Sequence, residues 1–402
     1  MNFFDVDRAR ADTPGCSRVV HLNNAGSSLP PTPVLDAQLT WLQEEAVTGG
    51  YEYAAQRADD LDRAYDEVAA LIGASRDEIA LVESATTAWQ QAFWSLPLAP
   101  GDRILTCEAE YASSYIGYLQ AVERKGVRVE VVPSDEAGDI DLAELERRLD
   151  PSDQARHGRV GLVGATHVPT NGGLVNPVEA VGRLTRAAGV PFLLDACQSV
   201  GQLPVDMDAI GCDMLSATGR KFLRAPRGTG FLYVRRAWIE RMEPAFLDLL
   251  GATWTAPDRY EVRPDARRFE TWESSPAGVV GLAAAAVYAR GWGLDAIAER
   301  VGALAEGLRG RLAEVPEVRL RDLGRRRSGI VTFTVDGVDA EVVQAELAAT
   351  GVSVSVSAPP STLLDATARR LPPLVRASVH YFNTDDELDQ AARAVAGRIL
   401  RR

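Results

Sequence analysis

The sequence predicts an α/β fold: a large domain with a mainly parallel sheet sandwiched by helices, then a smaller α+β C-terminal domain. Three observations carry this expectation. Short apolar runs alternate with amphipathic helical stretches over most of the chain, the pattern of strands joined by crossover helices. Runs such as Phe192-Leu193-Leu194 are apolar at every position, as strands covered on both faces are. After a long helical stretch from Pro276 to Glu314, apolar and polar residues alternate in Ile330–Val335 and Arg376–Tyr381, the signature of half-buried strands. The expected organisation is an N-terminal segment, 1–30, contributing to a site; a large domain, 31–275; and linking helices with the small domain, 276–402.

The elements follow in order. Pro33 to Glu45 has Val34, Leu35, Leu39 and Leu42 at helical spacing, and Gly49-Gly50 stops it. Leu61 to Ile72 is a second amphipathic helix. Ile79–Val82 reads as a strand, followed by a helix through Trp89 and Trp94. Further strands are expected at Arg103–Cys107, Val127–Val132, Val160–Ala165, Phe192–Asp195, Asp213–Ala217 and Gly230–Val234. Helices such as Leu142–Leu149 and Val178–Ala188 lie between several of them. Pro276–Glu314 reads as the hinge to the small domain, where the helices Ala340–Ala349 and Asp385–Ile399 follow the strands. The basic stretch Gly324-Arg325-Arg326-Arg327-Ser328 reads as a solvated turn.

Composition narrows the function classes. A net charge of -13 argues against nucleic acid or an anionic membrane surface as partner. No apolar run is long enough to span a bilayer, and the N-terminus lacks the pattern of a signal peptide. The four cysteines, Cys16, Cys107, Cys197 and Cys212, show no CxxC spacing and read as reduced thiols of a cytoplasmic protein. The four scattered histidines make a metal cluster a poor reading.

The chemistry begins with lysine. Only two occur, Lys125 and Lys221, because arginine carries the rest of the basic charge. Lys125 ends a surface helix before Gly126, whereas Lys221 lies between an apolar strand and the run Arg227-Gly228-Thr229-Gly230. An amine held inside a fold can lose its proton and attack an aldehyde, which is how a lysine holds pyridoxal phosphate (PLP). Such a site also needs an anion for the pyridine nitrogen, a phosphate cradle, a stacking ring and a cation for the substrate carboxylate. Asp195 ends the strand Phe192-Leu193-Leu194, where open α/β sheets bind ligands, and is either a helix cap or a functional charge. Gln198 can reach the ring's phenolic oxygen. Ser84-Ala85-Thr86-Thr87, at a helix start, suits a dianion but would also serve as an ordinary cap. Thr218 and Arg220 can close the other side of the phosphate, Tyr111 can stack, and Arg376 can grip a carboxylate through two parallel hydrogen bonds.

These residues resemble those of the class V aminotransferases, the cysteine desulfurase-like branch of the fold type I PLP enzymes. The resemblance runs from His21-Leu22-Asn23-Asn24-Ala25-Gly26 to Tyr381-Phe382-Asn383-Thr384. Its most specific stretches are Thr166 to Pro177, Asp195-Ala196-Cys197-Gln198 and Thr218-Gly219-Arg220-Lys221. It implies Lys221 as the Schiff-base lysine, Asp195 at the pyridine nitrogen, Gln198 at the phenolic oxygen and Tyr111 over the ring. It implies Ala85, Thr86, Thr218 and Arg220 around the phosphate, and Arg376 on the carboxylate. The Ala25-Gly26 backbone and the pair Thr170-Asn171 would border the substrate. It further implies a homodimer in which the segment Arg268–Ser275, with Ser274, reaches the neighbouring cofactor.

Three departures shape the expected reaction. The stretch Gly351 to Pro360 contains no cysteine, where desulfurases of this family carry a catalytic one. Tyr111 stands where those enzymes stack a histidine, and Trp272-Glu273-Ser274 replaces a threonine context. Gly49-Gly50-Tyr51 and Arg224 to Gly230 look closer to epimerase-like and cysteine-conjugate lyase-like members. The expectation is therefore a lyase that cleaves the C–S bond of a cysteine S-conjugate by β-elimination and is not a cysteine-dependent desulfurase. An aminotransferase or an amino-acid epimerase is the alternative, and a non-catalytic binding protein a remote one.

Overall fold

The computed structural model describes residues 4–399. Seven strands form the main sheet in the order Ile79–Val82, Gly230–Val234, Met214–Thr218, Phe192–Asp195, Val160–Thr166, Arg103–Cys107, Arg128–Val132. Four neighbouring pairs are parallel. The two pairs made by Gly230–Val234 are antiparallel. The inner strands Arg103–Cys107, Val160–Thr166, Phe192–Asp195 and Met214–Thr218 are buried at every residue. Successive side chains point to opposite faces, so Phe192, Leu194 and Leu215 enter one core while Leu193 and Met214 enter the other. Each such side chain contributes about 1.5–3 kcal/mol by leaving water, which is why the strands have no polar alternation.

The second sheet orders Val318–Leu320, Ile330–Val335, Leu374–Ser378 and Ser355–Ser357, all antiparallel. Here the half-buried reading fails. Ile330–Val335 and Leu374–Ser378 are buried almost throughout. Helices cover one face, and the other turns toward the main sheet, where Arg376 reaches Thr170 and Gly329 meets Gln202. The strand also ends at Ser378 rather than at Tyr381.

Other elements differ from expectation for identifiable reasons. The stretch after Pro276 is two helices, Pro276–Trp292 and Leu294–Ala313, bent by 78°. Gly293 makes the break with φ 83°, a conformation that favours glycine. The first expected helix runs Thr32–Thr48, with Val34 inside and Leu35, Leu39 and Leu42 exposed. The basic loop is solvated as expected, with Arg325, Arg326 and Arg327 exposed; Arg325 bonds Asp135 and Asp139, Arg327 bonds Glu306, and only Ser328 is buried. Among the described residues no single helix is long and apolar enough to cross a membrane.

The N-terminal segment joins the second sheet. Val20–His21 pairs in parallel with Val352–Ser353, and Asn23 bridges to Ser378. This lays Ala25 and Gly26 across the C-terminal ends of the main strands, where Ala25 meets Gln198 and Gly26 meets Arg220.

Candidate active site

Strand register assembles the centre of the site. Thr166, Asp195 and Ser216 lie side by side at adjacent strand ends. Thr218 follows on its strand opposite Gly230. Gly219 then turns the chain toward Lys221; a Cβ there would lie 2.2 Å from Thr229 Oγ1. Burial pulls the Lys221 amine below its ordinary value, with Arg220 and Arg376 acting in the same direction and Cys197 and Asp195 opposing. Those five side chains therefore share one electrostatic environment.

Asp195 is buried, and its Oδ1 accepts the Cys197 amide at 2.8 Å. None of the ion pairs among the described residues involves it. Gln198 donates Nε2 to the Ala25 carbonyl at 3.1 Å and to Thr170 Oγ1 at 3.3 Å. Its Oε1 is buried without a partner, which costs free energy unless a ligand supplies a donor.

A second cradle forms at the helix Ala85–Trp94. Ser84 caps it by accepting the Thr87 amide at 3.1 Å. The amides of Ala85 and Thr86 are first-turn donors with no intrahelical acceptor. Gly230 lets this helix end approach closely, since a Cβ would lie 3.1 Å from the Ala85 nitrogen. Thr218 lies opposite Gly230, so its hydroxyl borders the same corner.

The substrate side is built around Arg376. Nε donates to Ser355 Oγ at 3.1 Å, and Nη1 donates to Thr170 Oγ1 at 2.6 Å and to the Thr170 carbonyl at 3.2 Å. The side chain is buried, and no carboxylate pairs with it among the described residues. Burial lowers its pKa to about 10, with Tyr111 opposing, so the guanidinium stays charged and lacks an anion. Asn171 donates to Thr362 Oγ1 at 2.9 Å while its Oδ1 has no partner. Tyr111 heads the helix Ala112–Lys125 and is 38% exposed, leaving its ring free on one side.

The expected residues Ala25, Gly26, Ala85, Thr86, Tyr111, Thr170, Asn171, Asp195, Gln198, Thr218, Arg220, Lys221 and Arg376 thus gather at the strand ends. Ser274 does not join them within the chain. It is exposed and lines a cleft of about 860 Å³ with Tyr51, Glu83, Thr229 and Trp272, which shares Gly230 with the cradle at Ala85. Two contributors escaped sequence reasoning. Ser355 steadies Arg376 from the neighbouring strand, a cross-strand pairing that no motif announces. Glu110 is buried and binds Thr106, Thr166 and the Tyr111 amide at 2.7, 2.6 and 2.7 Å; only its place beside Tyr111 offered a signal. Burial lifts its carboxyl to about 7. His167 is buried with both ring nitrogens unpartnered, and burial drops it to about 3, so it is neutral.

This donor set fits PLP: a half-buried amine for the aldehyde, a carboxylate in no ion pair among the described residues for the ring nitrogen, an orphaned Gln198 oxygen, and free helix amides for the phosphate. Fold and site together define a PLP-dependent enzyme of fold type I. The chain belongs to the family described as Aminotransferase class-V, which matches residues 20–391. A probable cysteine desulfurase of Mycobacterium leprae is 31% identical over 98% of this chain and 96% of its own. A probable cysteine desulfurase of Methanothermobacter thermautotrophicus is 29% identical over 96% of both. The apo structure of the cysteine desulfurase from Thermococcus onnurineus NA1 superposes with a TM-score of 0.91 at 24% identity, covering 98% of both chains.

These relatives overturn the expectation of an eliminating lyase that is not a cysteine-dependent desulfurase. That expectation rested on the missing cysteine in Gly351–Pro360. One loop position bears on where a thiol is carried, whereas likeness over nearly the whole chain bears on the whole substrate site.

Proposed function

We propose that this enzyme transfers the sulfur of cysteine or a close analogue to the thiol of an external acceptor, leaving alanine and a persulfide, with Lys221 as the residue that would hold the PLP aldehyde. One observation carries the reading: the half-buried Lys221, whose amine desolvation draws below its ordinary value, shares its environment with Asp195 and with Arg376, a buried guanidinium that has no anion among the described residues. The names of the full-length relatives supply the substrate class.

In this reading Asp195 pairs with the pyridine nitrogen and Gln198 faces the phenolic oxygen. Ala85, Thr86, Thr218 and Arg220 hold the phosphate, and Tyr111 covers the ring. Arg376 grips the α-carboxylate, with Thr170, Asn171 and the Ala25-Gly26 backbone bordering the substrate. When bound, PLP supplies a sink for the electron pair left at Cα. Lys221 would act as general base for the Cα proton, and desolvation, which draws its amine below its ordinary value, favours the neutral form this task needs. Arg376 aligns the Cα–H bond by fixing the carboxylate, which lowers the entropic part of the barrier.

The working form is a homodimer in the cytoplasm. Exposed apolar side chains recur at helical spacing, Leu35, Leu39 and Leu42 on one helix and Ile116 and Leu119 on another, and such stripes mark interfaces. Ser274 then faces the partner's phosphate from its exposed segment.

Incubation with L-cysteine and a dithiol as two-electron reductant tests the reaction. Alanine and sulfide in equal amounts are expected. Pyruvate with ammonia would replace the proposal by elimination, and a keto acid with the cofactor converted to its amine form would replace it by transamination. Borohydride reduction of the holoenzyme followed by peptide mapping tests Lys221, which is expected to carry the cofactor.

A further inference from the structure

Three residues beyond Lys221, the chain does something costly. Arg224 has φ 63°, a left-handed conformation that disfavours side chains with a Cβ. Its guanidinium is 1% exposed and has no carboxylate partner among the described residues. Such features persist only where the surroundings over-determine them.

Here they do. Nε donates to the Leu29 carbonyl at 2.8 Å, Nη1 to the Tyr381 hydroxyl at 2.6 Å and Nη2 to Thr13 Oγ1 at 2.5 Å. The charge lies 4.7 Å from the centre of the Phe382 ring and 5.1 Å from that of Tyr381, a stabilising arrangement once water is excluded. Its own amide donates to the Lys221 carbonyl at 2.9 Å, closing a turn over Lys221-Phe222-Leu223-Arg224.

That turn is held on two more sides. His380 Nδ1 accepts the Tyr381 amide at 2.9 Å, so the proton sits on Nε2, which donates to the Phe222 carbonyl at 2.8 Å. Gly201 presses against the same backbone, where a Cβ would lie 2.4 Å from the Phe222 carbonyl and the Leu223 nitrogen. Tyr381, Phe382 and His380 directly follow the strand Leu374–Ser378 that carries Arg376. Thr13 and Leu29 belong to the N-terminal segment that lays Ala25 and Gly26 over the site.

We propose that Arg224 is a positioning residue for Lys221: it locks the turn bearing the amine onto residues 380–382 and onto the N-terminal segment. The amine and the Arg376 guanidinium are thereby set by one continuous stretch of chain, and their separation does not depend on the flexible stem of the lysine alone. This rests on the reading of Lys221 as the reacting amine.

The two lysines make a direct test possible. The full-length chain, stripped of cofactor, is trace-acylated across a pH series, and Lys221 modification is measured by mass spectrometry against Lys125 as internal reference. The midpoint of Lys221 labelling is expected to rise in Arg224→Met, because a loosened turn lets water reach the amine. Below the midpoints, each unit of that rise lowers the fraction of reactive amine about tenfold. Arg224→Lys, which keeps the charge but not the fork, is expected to restore part of the shift. An unchanged midpoint with a lowered melting temperature would make Arg224 a stabiliser of the core only and overturn the proposal. If Arg224→Met does not fold, Tyr381→Phe, which deletes a single hydroxyl partner, gives the same two outcomes. Borohydride mapping of the holoenzyme separately tests whether Lys221 carries the cofactor, so either idea can fail without the other.

Discussion

The hydroxyl of Thr170 lies 2.6 Å from Nη1 of Arg376 and 3.3 Å from Nε2 of Gln198. One small side chain thus joins the proposed carboxylate clamp to the residue proposed to face the cofactor's phenolic oxygen. Nε and Nη1 of Arg376 are engaged by Ser355 and Thr170, and Nη2 has no protein acceptor among the described residues, so its N–H groups are the ones left for a carboxylate. Thr170→Val keeps the volume and removes this bond. It is expected to raise KM for cysteine about tenfold, the effect of one lost hydrogen bond to a charged group. Arg376→Met is expected to raise KM about a hundredfold or more. Steady-state kinetics with cofactor absorbance as a loading control check both; an Arg376→Met enzyme with unchanged KM would remove the clamp from the site.

Asp195→Asn tests the partner of the ring nitrogen. The amide is isosteric and the fold should hold, because the hydrogen bond from the Cys197 amide can still form. Lost charge stabilisation at Cα should lower kcat about a hundred- to a thousandfold, the scale seen when one preorganised electrostatic contact is removed. Retained cofactor with a collapsed kcat is the expected pattern. A kcat within about threefold of the wild type would exclude the role.

Glu110 predicts a pH dependence of stability. Burial raises its carboxyl from 4.5 to about 7, while the Thr166 and Thr106 hydroxyls oppose. The folded chain therefore holds a proton that the unfolded chain has already released. That contribution is complete below the unfolded value and is lost as the pH rises through about 7, a loss on the order of 3 kcal/mol. Glu110→Gln has no such loss. Its stability relative to wild type should improve steadily from about pH 4.5 to pH 8 in chemical denaturation, and a flat difference would refute the assignment.

Leu39→Glu tests the dimer. Leu39 is 45% exposed within the chain and lies between Leu35 and Leu42 on one helix face. A buried charge at a subunit contact is costly, so sedimentation should show monomer at micromolar concentration where wild type is dimeric. A wild-type distribution for the variant would place the interface elsewhere.

The sequence was informative wherever covalent order and spatial order coincide. Strand ends at Asp195 and Thr218, the helix start at Ser84 and a lysine just beyond a strand end all follow from local apolar runs and caps, so the fold class and most of the candidate site could be read residue by residue. Similarity to cysteine desulfurases over nearly the whole chain then overturned the exclusion of that reaction, which had rested on the composition of one loop.

The tertiary structure decided what depends on residues far apart in the chain. Ser355 meets Arg376 across neighbouring strands of the second sheet, and Thr170 meets it because that sheet packs against the main one. Glu110 is buried only because Thr106 and Thr166 come from neighbouring strands. Arg224 carries a charge into the interior only because the N-terminal segment and residues 380–382 supply oxygens and rings around it. Burial, hydrogen-bond satisfaction and proton affinity are properties of a packed environment, and no spacing along the chain specifies which side chains will form it.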